Sequence, residues 1–557
     1  MTDTRLWQPT LDQLGASAPE FDDRPLGQVV ADHAVAQPGA PALRYFSRDF
    51  TFAELEAHSN RMANALAGLG VGRGSTVGFH MPNIPQYVFA YVAVSKLGAR
   101  GSGVSPLLAP PELVHQIEDA GIDVLVSLAD FAPALAAMDP VPERLKHVVA
   151  VGAGDLLGAP DVAAPELPGA DSHTYQALVE GAPDTFAQVP VDPHDTFMIQ
   201  YTGGTTGKPK GAELSHRNMM HNPRMAAAID PPTVPYGETY HSAFPFFHVA
   251  GLSLLTGSIL FGAHMTLLPN PRDIEHFVDQ MKAVPPTRLG AVPALYDMLI
   301  AHPGFAEVDF SRLEIAKSGA APLTRTTYDR LAAIIGPNKI SDVFGMTETG
   351  PCHVGHPLHP YKLGSIGVPL PGTDLKIMDV ETGTREMPVG EPGEIATAGP
   401  QLMTGYLGLP EESARALREI DGTRYMYTGD VGYMDEDGYV FLCDRAKDML
   451  VVGGFKVFSV EVEDKLKAHP DVAESAVVGA PDAARPGNDI VHLFVQKAPD
   501  SEGDDAQVAK RILDWFRANT APYKVPKHIH FVEAIPLTPV GKIDKKALRA
   551  EVAGTAA

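Results

Sequence analysis

Alternating strand and helix signals over the first 340 or so residues predict an α/β protein. A large layered N-terminal domain is expected, with a small β-rich section near its end and a small α+β domain after it. Two further observations support this division. The pattern changes to short strands and turns between about residues 361 and 446, and a separate helix and strand pattern begins after Arg445. At 557 residues the chain is also too long for one ordinary core. The boundary falls in the polar run 444–448, giving domains 1–446 and 447–557.

The elements follow from local chemistry. Thr51-Phe-Ala-Glu54 reads as a capping box. Leu55, Met62, Leu66 and Leu69 then recur at near-helical spacing, and Gly70 supplies a stop. Val77 to Phe79 predicts a strand and Val88 to Leu97 a second helix, whereas 130–171, dense in Ala, Pro, Gly and Asp, reads as a surface excursion. Val431 to Met434 and Tyr439 to Leu442 flank Asp435-Glu-Asp-Gly438, a hairpin signal. Ser459 is the expected cap of a helix through Leu466. Strands are expected at 473–479, 490–496 and 528–532, with helices at 506–519 and 543–552.

Composition excludes several classes. The formal net charge is −24, so the basic footprint of a nucleic-acid binder is missing. Residues 447–557 hold 15 Lys/Arg against 16 Asp/Glu, a net of −1, which leaves −23 on the first 446 and a nearly neutral tail suited to handling anions. Two cysteines, Cys352 and Cys443, form no disulfide framework or metal-ligand pattern. Met1 to Phe21 shows no signal-peptide pattern. Ala243 to Leu268 carries no Asp, Glu, Lys or Arg, but its prolines, glycines and histidines favour a buried helix and flanking strand over a membrane span. A cytoplasmic protein is expected, with peripheral membrane contact and a homodimer left open.

The sharpest motif is Tyr201-Thr-Gly-Gly-Thr-Thr-Gly-Lys-Pro-Lys-Gly211, directly after the apolar run Phe197 to Ile199. Small residues let backbone approach phosphate, hydroxyls and amides donate to its oxygens, and the lysines add charge. It is not a Walker A loop, because Thr202 stands where the first glycine is required and Pro209 follows Lys208. Further motifs follow in order: Phe244-Pro-Phe-Phe-His248-Val-Ala-Gly251, Gly319-Ala-Ala-Pro-Leu323, Phe344-Gly-Met-Thr-Glu348 preceded by Asp342, Tyr427-Thr-Gly-Asp430, Arg445, Val452-Gly-Gly-Phe-Lys456 and Pro539-Val-Gly-Lys542-Ile-Asp-Lys545.

Together these motifs resemble the adenylate-forming superfamily of acyl-CoA synthetases, peptide-synthetase adenylation domains and luciferases, over nearly the whole chain. The resemblance implies a carboxylic acid as substrate, with ATP, Mg²⁺ and coenzyme A. In such proteins the 201–211 loop grips phosphate through residues matching Thr202, Gly203, Gly204, Thr205, Thr206, Gly207, Lys208 and Lys210. Gly319, Ala320 and Ala321 lie along the adenine, and Phe344 stacks on it beside Asp342. Thr347 contacts the α-phosphate, and Glu348 with Thr202 holds magnesium, a hard cation that prefers oxygen ligands. The relatives' Gln-Gly-Tyr is replaced here by Asp342-Val-Phe344, so the contacts to the adenine edge differ.

Asp430 and Arg445 are implied ribose contacts, since one carboxylate can accept two hydroxyl donors. Lys447 falls at the hinge of a mobile C-terminal domain, Gly454 beside the pantetheine arm, and Lys542 at the reacting carboxylate. Lys545 and Lys546, on the predicted helix, are expected to tolerate alanine. His248, Gly251, Ala320, Val343 and Gly345 are the implied acyl-site residues, with His248 also in a catalytic role. Amino-acid-activating relatives place an Asp in the 243–268 region, so an uncharged acid is favoured, first a medium- or long-chain fatty acid. An aromatic acid, loading of a carrier protein, and a luciferase-like oxidation are the alternatives.

Overall fold

A computed structural model describes residues 5–202, 209–359, 361–482, 484–537 and 543–555, with the side chains of 554 and 555 excepted. The chain divides into two compact units. The first comprises Met1–Leu375, Thr397–Met426 and Asp437–Tyr439, and the second Lys376–Ala396, Tyr427–Glu436 and Val440–Ala557. The second unit thus takes more than the residues after 446. The strands Asp374–Met378, Gly393–Ala398 and Thr423–Met434 each pass from one unit to the other along their length. A boundary that runs along strands leaves no linker composition for a sequence reading to detect.

The first unit is built on two mostly parallel sheets. One has the order Val368–Pro369, Cys352–Gly355, Ile340–Gly345, Ile315–Gly319, Arg288–Ala291, Thr239–Ser242, His264–Leu267, Pro41–Tyr45, Arg48–Thr51. The other runs Gly405–Tyr406, Lys210–Ser215, Thr196–Thr202, Arg100–Gly103, Thr76–His80, Ile122–Leu128, His147–Val151, Asp171–Thr174. One core joins them. Phe79 and Val126 from the second sheet and Tyr45 and Met265 from the first pack with Leu55, Met62 and the helix Pro85–Leu97. That helix is buried on every face, which explains why its sequence is apolar all round.

Several expected elements are present. The Thr51/Glu54 capping box is formed, and the helix Phe52–Gly68 ends before Gly70, whose φ is +84°. Val249–Leu260 is a buried twelve-residue helix followed by the strand His264–Leu267. Among the described residues no helix is long and apolar enough to cross a membrane. The 130–171 stretch differs from the expectation, because His147–Val151 is a largely buried strand within a sheet. Its five residues, HVVAV, carry the β-branched signal that the surrounding Ala and Pro diluted.

The second unit contains the sheet Val472–Pro481, Asp489–Lys497, His528–Phe531 and the helices Ser459–Leu466, Asp505–Asn519 and Lys545–Thr555. Val462, Leu466, Val477, Leu493, Ile512 and Phe516 form its core. Ser459 is not the cap of its helix. Phe458 holds that position, and the Ser459 hydroxyl donates to Asp444 at 2.7 Å.

Candidate active site

The phosphate-type motif lies between two paired strands. Thr196–Thr202 and Lys210–Ser215 run antiparallel, with Thr202 opposite Lys210. Gly203, Gly204, Thr205, Thr206, Gly207 and Lys208 lie outside the described residues. At the strand ends Tyr201 donates to Asp119 at 2.5 Å. The Lys210 ammonium pairs with Glu412 at 3.2 Å and sits over the Tyr406 ring, 4.5 Å from its centre.

Glu348 enters the same place from another direction. The strand Ile340–Gly345 leads into the short turn Thr347–Thr349, which packs against both strands flanking the loop. Thr347 and Glu348 are both buried, and Glu348 accepts from the Tyr406 hydroxyl at 2.7 Å. Among the described residues no group of three His, Cys, Asp or Glu gathers as a metal cage. A buried carboxylate on a turn packed against the strands that flank the motif fits Mg²⁺, which takes few protein ligands and keeps phosphate oxygens and water.

Two parallel strands end side by side to form the neighbouring wall. Ile315–Gly319 and Ile340–Gly345 are in register with Gly319 opposite Val343. The carboxyl ends of such strands are the usual ligand edge of an open α/β sheet. Ala320 and Ala321 are exposed there, and Ala320 takes φ +66°, rare for a residue with a side chain. Asp342 accepts from Tyr361 at 2.8 Å, while burial pushes its carboxyl up to about 6. Phe344 meets His353 edge to face, at 5.3 Å between ring centres, and Val343 is half-buried. At Gly345 a Cβ would lie 1.9 Å from the Pro351 carbonyl oxygen, so this glycine permits a close backbone approach.

His248 is the exposed N-cap of the helix Val249–Leu260, and its Nδ1 accepts from the Ala250 amide at 3.2 Å. Gly251 stands where a side chain would meet backbone. A Cβ there would lie 2.2 Å from the Pro245 carbonyl oxygen and 2.7 Å from that of Phe244. Its missing side chain is therefore filled by backbone, and a substitution reports on packing instead of acyl length. We expect Gly251→Ala to destabilise the protein by about 1–3 kcal/mol, as overpacking does. Thermal unfolding and activity on a short-to-long acid series check this, with activity falling equally along the series.

In the second unit Asp430 and Arg445 face each other across paired strands, with Arg445 Nε 2.8 Å from Asp430 Oδ1. The carboxylate is buried within its strand, whereas the half-exposed guanidinium stands at the end of the strand Val440–Arg445. Within the strand that holds Asp430, Thr428 accepts from the Asp430 amide at 3.1 Å and donates to the Ile395 carbonyl at 2.8 Å. Lys447 lies in the turn that follows, where its carbonyl accepts from Arg549 at 3.3 Å. Burial holds its ammonium below the usual lysine range.

Gly453 and Gly454 join the strands Leu450–Val452 and Phe455–Val457 with φ of +62° and +82°. Two left-handed residues make a primed hairpin turn, so the turn itself demands glycine. A cavity of about 530 Å³ lies beside this hairpin, lined in part by Val452, Val491, Leu513 and Val525. Lys542 lies outside the described residues. The chain on either side of 538–542 is closed by a bridge between Leu537 and Ile543 and by the Asp544 amide donating to Pro536 at 2.8 Å.

Sequence reasoning missed three side chains. Tyr406 and Tyr361 hold the carboxylates Glu348 and Asp342, and Lys545 is buried against Glu463 at 2.8 Å and Ser459 at 2.6 Å. None of them offers a local signal, since each partner is distant in sequence.

The chain matches the family model of the AMP-binding enzyme over residues 30–407 and that of the AMP-binding enzyme C-terminal domain over 461–542. It is 33% identical over 536 residues to a long-chain-fatty-acid–CoA ligase of Escherichia coli O6:H1, covering 92% of each chain. It is also 33% identical to a feruloyl-CoA synthase of an Amycolatopsis species, over 94% of this chain and 98% of that one. The solved structure of an anthranilate CoA ligase with anthranoyl-AMP superposes with a TM-score of 0.82 at 26% identity, covering 96% of this chain and 98% of the other.

Proposed function

The chain belongs to the AMP-binding enzyme family as an AMP-forming acid–CoA ligase, and on that premise we propose that its acid is a medium- or long-chain fatty acid. The observation that supports this reading is the likeness to long-chain-fatty-acid–CoA ligases along 92% of the chain. The uncharged stretch from Ala243 to Leu268 agrees with it, since an ammonium-bearing acid would require a counter-charge there. An aromatic acid is the second reading, favoured by the likeness to a feruloyl-CoA synthase.

A carboxylate resists thiols because oxide is a poor leaving group. In the first step its oxygen attacks the α-phosphorus of ATP, the bond to pyrophosphate breaks, and an acyl-adenylate forms. In the second, the thiolate sulfur of coenzyme A attacks the acyl carbonyl, AMP leaves, and the thioester remains. Thr202, the 203–208 segment and Lys210 bind the departing phosphates. Glu348 and Thr202 hold Mg²⁺, which supplies charge neutralisation on the phosphate oxygens. Thr347 donates to the α-phosphate, and Phe344 with Gly319, Ala320 and Ala321 seats the adenine. Asp430 and Arg445 take the ribose hydroxyls. Lys542 stabilises charge gathering in the first step, and the Gly454 hairpin borders the thiol arm in the second, with Lys447 as the hinge.

The test is exchange of labelled pyrophosphate into ATP. Exchange should require both a suitable acid and Mg²⁺. In a panel running from short to long saturated acids, beside benzoate and ferulate, AMP release should be greatest on the longer chains and should depend on coenzyme A. Formation of ADP and phosphate without AMP overturns the adenylate, and preference for the aromatic acids selects the second reading.

A further inference from the structure

Two oppositely charged groups of this site must stay apart to do different work. Glu348 has to keep its negative charge for a cation, and Lys210 its positive charge for phosphate. Lys210 already shares its charge with the partly exposed Glu412, 3.2 Å away, and a direct pair with the buried Glu348 would take that carboxylate from the cation. Tyr406 touches both. Its hydroxyl donates to Glu348 Oε1 at 2.7 Å, while its ring face seats the Lys210 ammonium 4.5 Å from the centre. The carboxylate therefore lies at the hydroxyl end of the ring and the ammonium on its face.

The backbone around Tyr406 fixes this arrangement on both sides. The Met403 amide donates to the Glu348 carbonyl at 2.9 Å, tying the segment to the turn. Tyr406 pairs with Ala212, and the Leu407 amide donates to the Gly211 carbonyl at 2.8 Å, tying it to the strand that begins at Lys210. The Tyr406 amide is itself held by Ser413 Oγ at 2.8 Å. A phenol is an uncharged donor at neutral pH. A neutral donor fixes one carboxylate oxygen without cancelling the charge.

We propose that Tyr406 is a positioning residue that orients Glu348 toward the metal while its ring holds Lys210 off that carboxylate and toward phosphate. This rests on the reading above in which Glu348 meets Mg²⁺ and Lys210 meets phosphate. The two functions of the side chain separate by substitution. Tyr406→Phe keeps the ring and loses the hydroxyl, whereas Tyr406→Leu loses both.

The experiment is a Mn²⁺ titration followed by electron paramagnetic resonance, on full-length protein with a non-hydrolysable ATP analogue. Binding of the same analogue without metal is measured alongside. Glu348→Gln serves as the reference, and thermal unfolding establishes that each variant is folded. Tyr406→Phe should weaken Mn²⁺ binding on the order of tenfold, the usual size for losing one hydrogen bond to a charged group. It should leave metal-free nucleotide binding unchanged, and in pyrophosphate exchange it should raise the Mg²⁺ requirement but not the KM for the acid. Tyr406→Leu should also weaken metal-free nucleotide binding, because Lys210 loses its seat.

If Glu348→Gln weakens Mn²⁺ binding and Tyr406→Phe matches the parent, the positioning role is overturned and the metal reading stands. If Glu348→Gln itself matches the parent, the metal reading falls and takes the proposal with it. A folded Tyr406→Leu that binds metal-free nucleotide like the parent overturns the part assigned to the ring.

Discussion

Lys542→Ala should lose adenylate formation by ~10²–10³, the usual cost of removing one preorganised contact to a developing charge. Given a synthetic acyl-adenylate and coenzyme A, the same variant should form thioester at nearly the parent rate. The asymmetry follows from where charge builds. In the first step the attacking carboxylate oxygen, the α-phosphate and the departing pyrophosphate are all anionic, and a nearby ammonium stabilises that arrangement selectively. In the second step a thiolate meets a carbonyl that already bears its leaving group. The test does not depend on the geometry of Lys542, which lies outside the described residues. The described residues on either side, Leu537 and Ile543, are held by a bridge. Equal loss in both half-reactions would show that the residue is structural.

What the sequence revealed about this site divides by distance along the chain. The Thr51 capping box and the Asp435–Gly438 turn are both encoded within a few residues, and both are present. The Asp430 and Arg445 pair was reached as two ribose contacts by resemblance, and the structure adds that they are register partners. Tyr406 could not be read, because the two-residue strand Gly405–Tyr406 is too short to show alternation and its partners are Ala212 and Glu348. The carbonyls beside Gly251 could not be read either, because a glycine that faces a cavity and one that faces a carbonyl look alike in sequence. The compact units differ from the 446/447 division because strand pairing, such as Asp430 with Arg445, binds β-rich chain into the second unit.

Lys545 shows the same limit with a larger consequence. Taken as a point on a helix three residues past Lys542, it reads as a harmless comparison. Its side chain is in fact 12% exposed and pairs with Glu463, itself 10% exposed, while Ser459 links it to Asp444. Burial raises the Glu463 and Asp444 carboxyls above their ordinary range, and the Lys545 ammonium opposes that rise. Lys545→Ala removes that opposing ammonium, and breaking a buried pair in this way costs about 3–5 kcal/mol. Each carboxyl can escape by taking a proton, so pH should modulate the loss. A carboxyl whose folded pKa rises still further binds more protons folded than unfolded, and stability then falls as pH rises through that interval. The deficit of Lys545→Ala in chemical or thermal unfolding should therefore be small at acid pH and should widen toward neutrality. The double variant Lys545→Met/Glu463→Gln should recover part of it, because the Glu463 charge is gone and only Asp444 is left without the ammonium. Below the melting temperature both half-reactions should fall together, in proportion to the folded fraction, whereas exposed Lys546→Ala should leave both near parent level. Selective loss of adenylate formation in a folded Lys545→Ala, with Lys542→Ala active, would move the catalytic role from Lys542 to Lys545.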